Sequence, residues 1–265
     1  MKISIVTPSF NQGQFIQRTI ESIVEQRGEF ELEYLVVDGG STDSTLEILR
    51  RYEGKLSWSS ERDGGQADAI NKGLRACSGD VVAWINSDDV LRPGALQRVA
   101  EAFKHPSTQW LHGRCDIIDE NDRTIRHLIS AYKHWSCTRY SYGRLLTENF
   151  VSQMSVFWRR SLMDQVGMLD QELNFAFDYD LWLRFAKVSD PTYIRESLAS
   201  FRWYRSSKSG SLYRSQFGED YLVAERHAPT LRWTLMLKRF RTMRLLTAYR
   251  LMRLFEPTGG LKPHA

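Results

Sequence analysis

Along the first hundred residues the apolar positions switch between two periods. Residues 3–7 (ISIVT) form a continuous β-branched run closed by Pro8, the pattern of a strand buried on both faces. Over residues 13–27 the apolar positions move to helical spacing, at Phe15, Ile16, Ile20, Ile23 and Val24. A second strand is predicted at Tyr34–Val37, closed by DGGSTDST. Thr42 or Asp43 can cap the next helix, which carries Leu46, Ile48 and Leu49. KLSWSS (55–60) predicts a third strand, GGQADAINKGLRACSG (64–79) a third helix and Val81–Ile85 a fourth strand. Pro93 then opens a helix to about Lys104. Four alternations of strand and helix predict an α/β fold, a mostly parallel sheet with helices on both faces.

Beyond about residue 106 the alternation stops. QWLHGRCDIIDENDRTIRHLI (109–129) predicts two strands joined by a turn at ENDR, and residues 151–158 another strand. Asp178–Lys187 predicts a helix, residues 192–204 a strand pair, and residues 216–255 mostly helix. The chain therefore divides into a half at 1–105, a second half at 106–215 and a helical extension at 216–265.

Charge sharpens that division. The chain has 36 Lys and Arg against 32 Asp and Glu, and residues 228–265 hold eight of the basic residues and one acidic residue. The remainder holds 28 basic and 31 acidic residues, so the main body is slightly acidic and the extension basic. A nucleic-acid binder with a uniformly basic surface would look different. Cys77, Cys115 and Cys137 form no CxxC pair, which predicts neither a disulfide framework nor a zinc site and points to a reducing cytoplasm. No secretory leader is expected from MKISIVTPSF, and no run of 18 apolar residues predicts a span.

Chemistry collects just after the four predicted parallel strands. There stand Pro8 and Ser9; Asp38, Gly39 and Gly40; Asp63, Gly64 and Gly65; and Asn86, Ser87, Asp88 and Asp89. Parallel strands end on one edge, and open α/β sheets bind ligands at that edge. Any one of these turns alone is an ordinary loop, and Asp43 alone reads as a helix cap. The set predicts one crevice bearing Asp38, Asp63, Asp88 and Asp89. Clustered carboxylates repel unless a cation or donors offset them. Hard oxygen ligands select Mn²⁺ or Mg²⁺, which take substrate phosphates as further ligands. Glycines at 39–40 and 64–65 let backbone approach a ligand. A helix starting near Gln66 can aim its free N–H groups at a diphosphate. No P-loop or G-x-G-x-x-G occurs, so neither an ATPase nor a dinucleotide enzyme is indicated.

TPSFNQGQFIQRTIESIVEQ, EYLVVDGGSTDSTLEIL, DGGQADAINKG and INSDD, in that order and spacing, resemble the family 2 glycosyltransferases of GT-A fold. The likeness is strong over residues 1–100 and weaker to about 205. It implies inverting, metal-dependent transfer of a sugar from a nucleotide-sugar, most often a UDP-sugar, to a glycan or lipid-linked acceptor in cell-surface polysaccharide synthesis. Pro8 and Ser9, through their backbone, and Asp38 would then hold base and ribose, with Asp63 in the same pocket. Asp88 would touch ribose or sugar and Asp89 would bind the metal. Asn86 stands where relatives often carry an acid. FDYDLWLRF (177–185) resembles the helix start that bears the family's base. Asp178 takes that position, Phe177 replaces the usual Glu, and Asp180 is the fallback. An N-terminal helix acid favoured by the dipole is the plainer reading of Asp178, and Trp182 reads as wall or core. In FRWYRSSKSGS (201–211) Arg205 lies about where relatives carry a His. Arg202, Arg205 or Lys208 can clamp a diphosphate, or the loop is simply solvated.

Two rival classes are a sugar-nucleotide nucleotidyltransferase and a nucleotide-binding module without catalysis. The first needs a basic glycine loop after the first strand, which PSFNQGQF lacks. Asp89 and Asp178 argue against the second. In the extension, Trp233, Met236, Leu237, Phe240, Met243, Leu251, Leu254 and Phe255 share one helical face. That helix either lies on an anionic membrane surface or packs on the domain. The first reading puts the protein peripherally on the inner face of the cell membrane.

Overall fold

The computed structural model describes residues 1–208, 212–228, 230 and 232–255, with 213, 214, 232 and 245–255 described by backbone alone. Residues 209–211 of the basic loop, and the side chains of Leu251, Leu254 and Phe255, lie outside the described residues.

The first half follows the predicted alternation. It runs β1 (Lys2–Ser9), α1 (Ile16–Val24), β2 (Glu31–Asp38), α2 (Thr45–Arg50), β3 (Ser57–Ser60), α3 (Gln66–Ala76) and β4 (Val81–Trp84), then a short β5 (Val90–Leu91) and α4 (Ala95–Phe103). The strands pair in parallel in the order β3-β2-β1-β4. Because β2 and β3 build outward on one side of β1 and β4 on the other, the order reverses between β1 and β4. A crevice opens at the carboxyl ends of strands at such a reversal. Asp43 accepts the Thr45 N–H at 3.0 Å in the turn before α2, whose N-cap is Ser44, so it braces the helix entry one residue outside the cap position it was expected to fill.

The second half departs from simple alternation. β6 (Trp110–Ile118) and β7 (Thr124–Ile125) form the predicted hairpin, and α5 (His127–Cys137) begins within what reads as strand in HLI. Two further helices, α6 (Tyr142–Thr147) and α7 (Arg160–Val166), flank a 3₁₀ turn at Gln153–Ser155 and β8 (Val156–Arg159). α8 (Phe177–Ala186) is the predicted helix. The expected strand pair at 192–204 is instead one strand, β9 (Thr192–Arg202), parallel to β6 with its register shifted around Arg114. β8 runs antiparallel between β4 and β6, joining the halves in one nine-stranded sheet. α9 (Tyr213–His227) and α10 (Arg232–Phe255) complete the described chain, with α10 packed on α6 and α9.

Two contacts fix the site's floor. α3 lies close on β1 because Gly73 has no side chain: a Cβ there would stand 2.3 Å from a Val6 methyl. Behind β4, Trp84, Trp110, Trp158 and Trp182 are fully buried. Trp182 stacks on Trp84 at 5.5 Å and on Trp110 at 6.1 Å between ring centroids, so Trp182 is core. Such pairs add about 0.5–1.5 kcal/mol beyond area burial. This block holds the strand carrying Asn86–Asp89 rigidly against α8.

Candidate active site

A cavity of about 940 Å³ opens at the carboxyl ends of β1–β4. That is near the upper size of ligand sites, about 300–1,000 Å³. Strand-end loops supply one wall with Pro8, Ser9, Gly39, Asp63, Gln66 and Asp88. The Ser9 hydroxyl is buried there without a hydrogen-bond partner among the described residues. Gly65, at φ 110°, turns the chain into α3 while its N–H donates to Asp63 at 2.8 Å. Gln66 opens α3 at the cavity. Its amide donates to Asn86 Oδ1 at 2.9 Å, and its oxygen accepts from Lys208 Nζ at 3.3 Å. Gly64 donates to Asp68 at 3.0 Å and is exposed beside this wall.

Three expected contact residues are placed differently. Asp38 is fully buried behind the wall, accepting from Gly40 N, Ser41 N, Ser41 Oγ and Ser60 Oγ. Both its oxygens are spent on shaping the loop that presents Gly39. Asp89, expected as the metal ligand, is also fully buried. It accepts the Arg202 N–H at 2.9 Å and the Asn86 amide at 3.0 Å. Burial and the adjacent Asp88 raise its carboxyl well above the usual range. The carboxylate on the cavity wall is Asp88, one oxygen of which accepts from Tyr204 OH at 3.0 Å. Burial raises Asp88 as well. Arg205 is exposed and outside the cavity lining, whereas Lys208 lines it. Arg202 is buried and spends its guanidinium on Asp88 O, Asp119 O and Asp122, so it locks the fold.

A divalent ion has a narrow footing here. Among the described residues no group of three or more His, Cys, Asp or Glu can hold a metal ion. Asn86 is an amide already engaged by Gln66, and Asp89 faces inward. The residues fit an ion that takes Asp88 alone from the protein and completes its shell with phosphate oxygens and water.

The opposite wall comes from α5, α6, α8, α9 and α10. Asp178 lies at the start of α8, half-buried against the cavity, with one oxygen accepting the Tyr179 N–H at 2.6 Å. Burial, and next the charge of Asp220, push its carboxyl up to about 7. Asp220 on α9 is raised to about 6 by burial, opposed by Lys238, and its Oδ1 has no hydrogen-bond partner among the described residues. Lys238 on α10 is 2% exposed and donates to Tyr179 OH at 3.2 Å, and burial lowers it to about 8. Asp180, the fallback base, is taken by structure. Burial acts to raise it, but His227 at 2.8 Å and Arg184 at 2.9 Å hold it below the usual range.

A family model described as Glycosyl transferase family 2 matches residues 4–166, more than half of the chain. The chain belongs to glycosyl transferase family 2. Among relatives, an uncharacterized glycosyltransferase of Mycobacterium tuberculosis is 32% identical over 203 residues, covering 75% of this chain and 74% of that protein. An uncharacterized glycosyltransferase of Nostoc sp. is 34% identical over 129 residues, 47% of this chain but 40% of that longer protein. S. aureus TarS in complex with UDP-GlcNAc superposes with a TM-score of 0.64 at 20% identity, over 84% of this chain and 65% of that one. The mannosyltransferase PcManGT of Pyrobaculum calidifontis, in complex with GDP-Man and Mn²⁺, gives 0.65 at 17% identity, over 96% and 81%. The fold is GT-A, as the resemblance implied.

In this family 2 chain the sequence motifs mark the strand-end wall and Asp178. Asp220, Lys238, Arg241, Lys133 and Tyr204 were not singled out as site residues. Lys133 and Asp220 carry no local motif; each is a charge on a helix, Asp220 directly after Glu219, and such charges most often mark a solvated face.

Proposed function

We propose that the chain is an inverting glycosyltransferase. It moves a sugar from a nucleotide-diphosphate sugar, a UDP-sugar by preference, to a hydroxyl of a glycan or lipid-linked acceptor. The observation that carries this reading is Asp178. A carboxylate pushed up to about 7 stands across one cavity from the strand-end loops that would hold a nucleotide. The UDP-GlcNAc complex of TarS supports the donor class. The place of the reaction in cell-surface polysaccharide synthesis, on the cytoplasmic side of a membrane, belongs to the same proposal.

Donor binding rests on the first wall. Pro8, Ser9 and Gly39 offer backbone and hydroxyl groups to base and ribose, and Asp63 lies in the same pocket, while Asp38 keeps the Gly39 loop in place. Lys208, over the rings of Phe175 and Phe177 at 4.9 and 5.8 Å, brings a cation toward the diphosphate. Arg205, from its exposed position, is not needed for this. Mn²⁺ or Mg²⁺ bound at Asp88 and the diphosphate would stabilise charge growing on the leaving group.

Asp178 acts on the acceptor. Its carboxylate accepts the acceptor hydroxyl proton as that oxygen bonds to the anomeric carbon from the face opposite the diphosphate. The carbon–oxygen bond to the diphosphate breaks, and its electron pair leaves with the nucleotide. General-base removal of this kind contributes about 10²–10⁴-fold in rate. A nucleotidyltransferase would not use an acid at this wall and would need cations after β1. Asp178→Asn tests the assignment: UDP affinity by calorimetry should persist while transfer falls by about 10²-fold or more. Unchanged transfer would remove Asp178 from the reaction.

A further inference from the structure

Two helices that line the cavity also carry solvent-exposed apolar stripes. On α10, Trp233, Met236, Leu237 and Phe240 are 82%, 60%, 44% and 58% exposed. Their spacing of i, i+3, i+4 and i+7 puts them on one stripe, at about 100° per residue. Leu235 and Lys238, both buried, and the cavity-lining Thr242 fall on the opposite side. α5 repeats the arrangement at i, i+4 and i+7, where Leu128 is 86% exposed and Tyr132 and Trp135 are each 44% exposed. The Trp135 ring stacks on Tyr132 at 6.0 Å and meets the guanidinium groups of Arg139 and Arg144 at 4.5 and 4.6 Å.

The stripes meet at the cavity. Tyr132 donates to Glu148 at 2.9 Å, and Arg241 of α10 pairs with the same carboxylate at 3.7 Å. Leu128, Tyr132 and Arg241 all line the cavity. Charge selects what can cover this surface. Residues 232–255 contain seven Lys and Arg and no acid, so two copies of this helix face would repel, whereas an anionic surface would attract it. No helix among the described residues is long and apolar enough to cross a membrane.

We infer that α5 and α10 together dock the protein on a bilayer containing anionic phospholipid, with the α5–α10 edge of the cavity facing the headgroups. The exposed aromatic, Leu and Met side chains enter the headgroup boundary, and the exposed Arg139 and Arg239 meet lipid phosphates. Docking itself does not depend on the transferase reading; its consequence, a lipid-linked acceptor entering beside Arg241, does.

Flotation of the full chain with two vesicle types tests the inference: phosphatidylcholine alone, and phosphatidylcholine mixed with phosphatidylglycerol. The mixed vesicles should bind at least about tenfold more protein, and added salt should reverse the gain. The double variant Trp233→Ser/Phe240→Ser and the single variant Trp135→Ser should each lower binding by about tenfold. These side chains lie off the cavity wall. UDP affinity without vesicles is therefore a separate readout, and its absence would count against the transferase reading alone. The inference is overturned if neither vesicle binds or if the variants bind like the parent. A parent dimer in sedimentation velocity that the α10 variant dissolves would also overturn it, because a second copy would then cover the face.

Discussion

The proposed base Asp178, its carboxyl pushed up to about 7, would leave a signature in pH. Asp178 accepts a proton only when ionised, so kcat/KM should rise with pH through about 7 and level off above it. Asp220 lines the same cavity and contributes to the rise through its negative charge. Removing that charge in Asp220→Asn should move the acid limb to lower pH while UDP affinity holds; an unmoved limb would separate Asp220 from the base. The two adjacent acids of INSDD predict opposite phenotypes. Asp88→Asn should weaken Mn²⁺-dependent UDP binding and leave the thermal midpoint near the parent's. Asp89→Ala leaves the buried Arg202 N–H unsatisfied, which costs about 1–3 kcal/mol of stability. The reverse pattern would return the metal to Asp89. The sequence showed that INSDD carries chemistry but not which acid faces out. That is decided by an amide arriving 113 residues later on β9, a separation no local pattern encodes.

Among elements, α3 is the one on which the proposed donor binding leans, since Gln66 at its start touches both Asn86 and Lys208. Its seat on β1 needs Gly73. A helix-interior Gly→Ala exchange would ordinarily add up to about 1 kcal/mol of stability. Here the new Cβ would meet Val6 at 2.3 Å and Val37 at 3.2 Å, and the stiff Val6 side chain cannot turn away. Overpacking of this kind costs about 1–3 kcal/mol, so Gly73→Ala should lower the thermal midpoint; a higher one would contradict the packing. The βα elements of the first half were readable because all but the largely exposed edge strand β3 bury a continuous or 3.6-periodic apolar set. α5 was not. Its apolar residues Leu128, Tyr132 and Trp135 face outward, so periodicity marks a stripe that the fold does not bury. β9 read as two strands because its long run is only partly covered, exposed toward its start and buried at Leu198–Ser200.

Over the whole molecule, the two walls of the cavity come from chain segments with different kinds of legibility. The strand-end wall follows from sheet topology, which places the carboxyl ends of the parallel strands β1–β4 on one edge. The opposite wall assembles α5, α6, α8, α9 and α10, and the basic extension that reads as an appendage supplies Lys238, Arg241 and Thr242 to it. Removing the extension should therefore impair transfer rather than only surface attachment. The most direct test of the account is a panel of nucleotide-sugars, with Mn²⁺ and without, scored for nucleoside diphosphate release in the parent and in Asp178→Asn. The account predicts acceptor-dependent release from a UDP-sugar, strengthened by Mn²⁺ and lost in the variant. Release from no nucleotide-sugar, or undiminished release by Asp178→Asn, would contradict it.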